Sequence, residues 1–179
     1  NKYAVADLHP PSAYSYEDVC SGRDFACGLT TSGMFVCWGS PRNVIPWPIH
    51  EVTQISCAYD DWCVLKTTGR LECSNHAINS TAPATNDFKE VTVHREGACA
   101  VTHDNVRQCW GNCLPTGVDF TDGTRQVAIS KKLACVVDEP DGTLSCEAYC
   151  GADIGEYPKL HKARGVTRVA IGGSDNICW

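Results

Sequence analysis

The sequence predicts an all-β protein, a five-bladed β-propeller built from repeats of about 36 residues and stapled by disulfides. The main observation is a short cysteine-centred phrase that returns five times along the 179 residues. Its first cysteines are separated by 36, 36, 36 and 43 residues: Cys27, Cys63, Cys99, Cys135 and Cys178. A fixed period in this range is typical of propellers, solenoids and arrays. We therefore interpret residues 1–179 as one propeller domain with repeats at 16–51, 52–89, 90–124, 125–166 and 167–179.

Each of the first four repeats contains a predicted β-hairpin. A second cysteine follows the first after a short turn, at Cys37, Cys73, Cys109 and Cys146. Four residues before each second cysteine stands a residue type that tolerates a positive φ, as a tight hairpin requires: Gly33, Gly69, Asn105 and Gly142. If the cysteines oppose each other, Leu29 faces Phe35, and apolar residues also pair in the second and fourth repeats. The third repeat departs from this pattern, with Arg107 opposite Val101.

This hairpin register predicts the disulfides. Opposed residues at a non-hydrogen-bonded site have Cα atoms about 4.5 Å apart, which is within disulfide reach. The predicted hairpin bridges are Cys27–Cys37, Cys63–Cys73, Cys99–Cys109 and Cys135–Cys146.

Another β-like stretch precedes each hairpin. These stretches are 16–20, 52–57, 90–93, 127–129 and 169–171, and no segment shows convincing helical periodicity. The fifth repeat stops at Trp179, after its first hairpin strand. We expect the strand-like segment Lys2–Leu8 to complete the fifth blade, so that residues 1–15 act as closing strand and linker.

Composition favours a secreted, extracellular chain. Thirteen cysteines are too many for a reducing cytosol unless they bind metal. Asn79-Ser80-Thr81 is a sequon for N-glycosylation of Asn79, and the sequence opens at Asn1 without a methionine. No apolar run approaches the roughly 18 residues needed to span a bilayer, so we expect no membrane insertion. The net charge of −6, with only Lys131-Lys132 as a tight basic pair, argues against nucleic acid as a partner.

The sequence resembles the regulator-of-chromosome-condensation type of repeat. The phrases that carry the resemblance are Phe35-Val36-Cys37-Trp38-Gly39 and Gln108-Cys109-Trp110-Gly111. The short, cysteine-paired version is similar to the extracellular repeats of Crinkly-type plant receptor kinases and to a propeller-type β-lactamase inhibitor protein. The resemblance implies a propeller, usually with seven blades, and it implies no single function. The basic surface of the chromatin-bound namesake is missing, so its nucleotide exchange and chromatin binding do not carry over.

Five cysteines lie outside the four hairpin pairs. Equivalent positions on neighbouring blades are close, so we predict Cys20–Cys57 and Cys113–Cys150 as further bridges. A zinc site that includes Cys109 and Cys113 is the alternative, but no histidine stands at matching metal spacing, and we expect no metal and no cofactor. Cys178 then has no partner within its repeat, and it is either a buried free thiol or a link between two chains in a homodimer.

The turn before each hairpin carries a charged residue three positions before the first cysteine. These residues are Asp24, Asp60, Glu96, Lys132 and Asp175. In a propeller the turns gather at one end, together with Tyr59, Asp61, Trp62 and His94 from the same segments. One interpretation is a row of solvated turns. The other is a ligand-binding face in which charged groups bind polar atoms and the aromatic residues provide stacking surface.

No catalytic motif accompanies this face, because the sequence has no GxSxG, no HExxH and no phosphate-binding glycine loop. We therefore expect a non-catalytic binding module. The leading hypothesis is a lectin-like propeller whose repeated shallow sites bind carbohydrate with useful avidity. The alternative is a protein-binding propeller, such as a receptor-type ectodomain, structural subunit or enzyme inhibitor, that uses one charged face. A small-molecule carrier that uses the axial channel is a third, weaker hypothesis.

Overall fold

The computed structural model describes residues 9–39, 48–94, 97–111, 124–129, 133–138, 140–148, 163–171 and 177–178. These residues form fourteen strands and one short helix. The strands of the first two blades are β1 (Tyr16–Ser21), β2 (Phe25–Thr30), β3 (Phe35–Gly39), β4 (Val52–Ala58), β5 (Asp61–Lys66) and β6 (Leu71–Cys73). Those of the third and fourth are β7 (Phe88–His94), β8 (Gly97–Thr102), β9 (Arg107–Gly111), β10 (Thr124–Ile129), β11 (Leu133–Asp138) and β12 (Thr143–Ala148). The fifth sheet contains β13 (Ala170–Ile171) and β14 (Ile177–Cys178), and helix α1 (His76–Thr81) follows β6.

Four three-stranded antiparallel sheets and one two-stranded sheet are the blades of a β-propeller, as the repeat predicts. In each complete blade the strands lie in chain order, with the middle strand paired to both neighbours. The predicted hairpin register is confirmed in all four, including the exception of Val101 opposite Arg107. At the equivalent place in every complete blade the first strand also carries a register shift, the first lying between Tyr16 and Asp18.

Five disulfides staple the sheets. Four join the two strands of a hairpin, with Cα atoms 4.0 to 4.1 Å apart: Cys27–Cys37, Cys63–Cys73, Cys99–Cys109 and Cys135–Cys146. The fifth, Cys20–Cys57, joins the first strands of two neighbouring blades. Because Cys109 is bridged to Cys99, it is not available for the alternative zinc site. The predicted Cys113–Cys150 bridge lies outside the described residues.

The hydrophobic core consists of layers between consecutive blades. Side chains alternate along a strand, so each blade has a front face towards the next blade in the chain and a back face towards the preceding one. Cys27 and Leu29 on the front face of the first blade pack with Trp62 and Val64 on the back face of the second. The same layering recurs at the next two junctions, around Cys63 and around Cys99. Each hairpin disulfide is therefore buried between two blades.

Helix α1 corrects the expectation of an all-strand chain. It has six residues, too few for a helical period to be visible in the sequence. Ile78 is buried in the layer between the second and third blades, and its carbonyl accepts a hydrogen bond from Trp110 Nε1 at 2.9 Å. Tertiary contacts therefore fix a helix that would not be stable alone. No helix in the described part of the chain is long and apolar enough to cross a membrane.

Ring closure depends on residues 2–8 and Trp179, which lie outside the described residues, so five-bladed closure stays a prediction. One position reports on the first blade. Val19 is 63% exposed, whereas its counterparts Ile55, Val91, Val127 and Val169 are buried. This edge of the first blade is thus more open to solvent than the same edge of the others.

Candidate functional site

Two neighbouring turns form a cluster of charged and aromatic side chains, which we call the turn cluster: Arg23, Asp24, Tyr59 and Asp60. The Arg23 guanidinium lies 3.0 Å from the Asp24 carboxylate and 3.1 Å from that of Asp60. It donates a hydrogen bond to the Tyr59 hydroxyl at 2.7 Å, and its carbon lies 4.6 Å from the centre of the Tyr59 ring. One arginine therefore joins the turn of the first blade to that of the second.

The backbone brings these two turns together. The Arg23 amide donates to the Tyr59 carbonyl at 2.6 Å. Gly22 permits this approach, because a Cβ there would stand 2.4 Å from the same carbonyl oxygen. Tyr59 has a φ of 53°, in the left-handed region that a bulky residue rarely adopts. The position of Tyr59 is thus set by the local fold.

The turn cluster is accessible. The side chains of Arg23, Asp24 and Asp60 are 47%, 53% and 42% exposed, and Tyr59 is 39% exposed. The structure brings together three residues that the sequence predicted for a binding face, and it adds Arg23 at their centre. Arg23 and Tyr59 are 36 residues apart, so the repeat alone places them at equivalent positions of adjacent blades.

Asp61 and Trp62 do not join the turn cluster. Asp61 begins β5 and accepts a hydrogen bond from Asn75 Nδ2 at 3.3 Å. Trp62 is buried, and its ring centre lies 5.1 Å from that of Phe35. The prediction of Trp62 as a stacking surface for ligand is therefore wrong, since the strand begins one residue earlier and turns the indole into the layer between two blades.

His94 is also buried and cannot contact a ligand at the surface. It ends β7, and it packs against Gly97, where a Cβ would stand 2.8 Å from the imidazole Nε2. Burial lowers the pKa of His94 to about 4. The side chain is neutral at physiological pH, so its predicted role in the binding face is corrected to a role in packing.

The other predicted face residues, Glu96, Lys132 and Asp175, lie outside the described residues. In the described ranges, no three histidine, cysteine, aspartate or glutamate side chains gather as metal ligands would. Asn79 lies exposed in α1, and its glycosylation stays a prediction.

A second feature is an axial channel of about 630 Å³, lined by the first strands of the four complete blades and by residues 167–171. Interblade hydrogen bonds run along its wall. Gln54 Oε1 accepts from the Val91 amide at 2.7 Å, and Gln126 Oε1 accepts from the Val169 amide at 2.8 Å. Between them, Glu90 Oε1 accepts from the Val127 amide at 3.3 Å. A side chain of each blade thus holds the backbone of the next.

Glu90 departs from its counterparts by being ionisable. Burial raises its pKa from 4.5 to about 7, although the hydrogen bond from Val127 and the positive charges of Lys89 and Arg168 act in the opposite direction. Sequence reasoning missed this series of contacts. The available signal was the recurrence of Gln, Glu and Gln at positions 54, 90 and 126, spaced by 36 residues.

The comparisons with known proteins agree with this geometry. Residues 16–43, which span the first blade, match the family model described as the Regulator of chromosome condensation (RCC1) repeat. The fold is that of the RCC1-type propellers. No curated protein matches the sequence.

Solved structures extend the likeness beyond the first blade. The CRINKLY WD40 ectodomain of the Arabidopsis thaliana receptor kinase ACR4 is 18% identical, with a TM-score of 0.65 over 92% of this chain and 59% of its own. The ectodomain of the Physcomitrella patens receptor kinase CR4 is 19% identical, with a TM-score of 0.60 over 75% of this chain and 38% of its own. Prp20p from Saccharomyces cerevisiae, a protein with binding properties towards Gsp1p and histones, is 13% identical, with a TM-score of 0.63 over 90% and 55%. The RCC1-type chain thus spans about three fifths of the ACR4 ectodomain structure and less of the other two.

Proposed function

We propose that this chain is a secreted, non-catalytic protein-binding module and that the turn cluster is part of its contact surface. The observation that carries the proposal is the exposed, internally braced arrangement of Arg23 with Tyr59, Asp24 and Asp60. It offers both signs of charge and an aromatic ring within one small area.

Interface energetics favour such a surface. Tyrosine and arginine are enriched among the residues that dominate binding energy in protein interfaces. Arg23 and Tyr59 already fix each other, so a partner would spend little conformational entropy on ordering them. The two carboxylates then provide acceptors for basic groups of the partner.

Two further facts support an extracellular protein binder. Five disulfides in the described residues suit an oxidising compartment. The similar structures include two receptor-kinase ectodomains and a protein with binding properties towards other proteins.

The lectin hypothesis is weaker than the sequence suggested. Burial of Trp62 and His94 removes two of the three ring-bearing side chains expected to provide its binding face, which leaves Tyr59. A sugar site normally stacks an aromatic ring against the apolar face of the sugar. We therefore favour a protein partner and keep carbohydrate as an outcome of the test.

The test compares three immobilised, non-reduced proteins exposed to extracellular proteins of the source organism, with retained proteins quantified by mass spectrometry. The first is the wild type. The face variant is Asp24→Arg with Tyr59→Asn, because asparagine tolerates the positive φ at this position. The control variant, Asp104→Arg with Val106→Ser, makes a similar exposed change at a hairpin turn on the opposite end of the blades.

We expect at least one protein to be retained by the wild type and the control and to be reduced at least tenfold on the face variant. Equal retention by all three proteins would contradict the use of the turn cluster. Selective binding to a glycan array, competed by a simple sugar and lost in the face variant, would instead favour the lectin hypothesis.

A further inference from the structure

The junction between the first and second blades is held differently from the later junctions. At those junctions the side chains of Gln54, Glu90 and Gln126 accept the amide of the following blade. The equivalent residue of the first blade is Asp18, one methylene shorter than glutamate. Its Oδ1 accepts from the amide of its own neighbour, Val19, at 2.8 Å.

A second interblade contact is replaced at the same junction. Between the second and third blades, Ser56 Oγ accepts from the Val93 amide at 3.0 Å. The equivalent positions one repeat earlier are Cys20 and Cys57, which form a disulfide. A covalent bond therefore stands where the next junction has a hydrogen bond.

This bridge is more accessible than the hairpin bridges. Cys20 and Cys57 are both partly exposed and line the axial channel. In each hairpin bridge, by contrast, one cysteine is 1% exposed or less: Cys27, Cys63, Cys99 and Cys135. Access to sulfur is one of the main determinants of the rate of thiol–disulfide exchange.

We propose that Cys20–Cys57 is a thiol–disulfide exchange site that a dithiol reductant opens while the four hairpin bridges stay closed. A thiolate of the reductant attacks one sulfur and forms a mixed disulfide, and the other cysteine leaves as a thiolate. The second thiol of the reductant then displaces the remaining cysteine. The protein cystine gains two electrons, the reductant is oxidised to its own disulfide, and the two released thiolates take up the protons that the reductant thiols lose.

Exchange at this site affects the turn cluster. Cys20 lies three residues before Arg23, and Cys57 lies two residues before Tyr59. Opening the bridge removes the covalent tie between β1 and β4 next to both turns, and it leaves the Arg23 amide bond to Tyr59 and the side-chain contacts to hold them. We therefore expect reduction to weaken partner binding, a consequence that rests on the proposed function, whereas the exchange chemistry does not.

The test is differential alkylation of the folded protein in graded dithiothreitol. Newly freed thiols are labelled with iodoacetamide, the remaining cysteines are fully reduced and labelled with N-ethylmaleimide, and each peptide is quantified by mass spectrometry. We expect Cys20 and Cys57 to acquire the first label at least tenfold faster than the eight hairpin cysteines. Equal labelling, or earlier labelling of any hairpin pair, would overturn the proposal.

The next junction provides matched variants. Cys20→Ser with Cys57→Val copies Ser56 and Val93, and it should leave the hairpin bridges as slow to open as before. Ser56→Cys with Val93→Cys copies the first junction, and it should add a second rapidly exchanging pair. Hairpin bridges that open rapidly in the folded Cys20→Ser, Cys57→Val variant would contradict the access argument, and the wild-type labelling order decides the proposal even if one variant fails to fold.

Discussion

Glu90 of the third blade accepts a hydrogen bond from the backbone amide of Val127 in the fourth, at the position where the neighbouring junctions use glutamine. A glutamine forms this contact without an ionisable group. Glutamate keeps its proton up to a pKa of about 7, because burial disfavours the charged form. The repeat thus contains its own comparison between an amide and a carboxyl at one site.

Replacing Glu90 by glutamine is expected to stabilise the protein, increasingly as pH rises. The folded pKa lies above the unfolded value, so the wild type loses stability as pH rises from 4.5 to about 7. The variant lacks this loss, and its advantage should be small at pH 4.5 and reach at most about 3 kcal/mol above pH 7. Chemical denaturation at a series of pH values measures the difference.

The reciprocal change, Gln54→Glu, serves as the control at the preceding junction. It should introduce a loss of stability of the same sign over the same pH window. An advantage of Glu90→Gln that does not depend on pH would show that the carboxyl is not titrating in the folded protein.

His94 has the opposite pH dependence. Burial holds its pKa near 4, below the value of 6.5 expected in the unfolded chain. The unfolded state therefore binds the proton first, and the wild type should lose up to about 3 kcal/mol as pH falls from 6.5 to 4. His94→Phe should remove this part of the acid sensitivity, measured as the difference in unfolding free energy between variant and wild type. A difference that stays constant between pH 4 and pH 7 would argue against the depressed pKa.

Gly28 leaves room for an aromatic ring on the back face of the first blade. A Cβ at this position would stand 2.3 Å from the Tyr16 ring, which also packs on Trp38 with ring centres 5.5 Å apart. Gly28→Val should cost about 1 to 3 kcal/mol, because the ring has to move. The measurement is thermal or chemical unfolding. Combining it with Tyr16→Ser should cost less than the sum of the two single changes, and strict additivity would contradict the contact.

Trp110 holds helix α1 through its indole hydrogen bond to the Ile78 carbonyl. Trp110→Phe leaves that buried carbonyl without this donor, which should cost about 1 to 3 kcal/mol. Hydrogen–deuterium exchange should become faster in residues 76–81 than elsewhere in the second blade. Unchanged exchange there would mean that burial of Ile78 alone holds the helix.

Much of the fold could be predicted because the cysteines and the 36-residue period constrain each other. Opposed Cys27 and Cys37 fix one hairpin register, and repetition carries that register to the other blades. The burial of Trp62 could not be predicted, since it depends on whether a strand begins at residue 61 or later. Strand boundaries set by pairing with a neighbour leave little trace in local sequence.

The interblade contacts were missed for a related reason. Gln54 and Gln126 have no distinctive local pattern, and their role appears only when the preceding and following blades are placed side by side. The turn cluster was partly predicted, because charged turn residues recur with the repeat. The central position of Arg23 depends on the geometry between two blades.

The central claim is that a protein partner binds the turn cluster. Hydrogen–deuterium exchange of the chain with and without a retained partner tests it most directly. The account predicts slower exchange in residues 22–25 and 58–61, with no change at the hairpin turns 31–34, 67–70 and 103–106. Protection confined to those hairpin turns or to the strands that line the axial channel would contradict it.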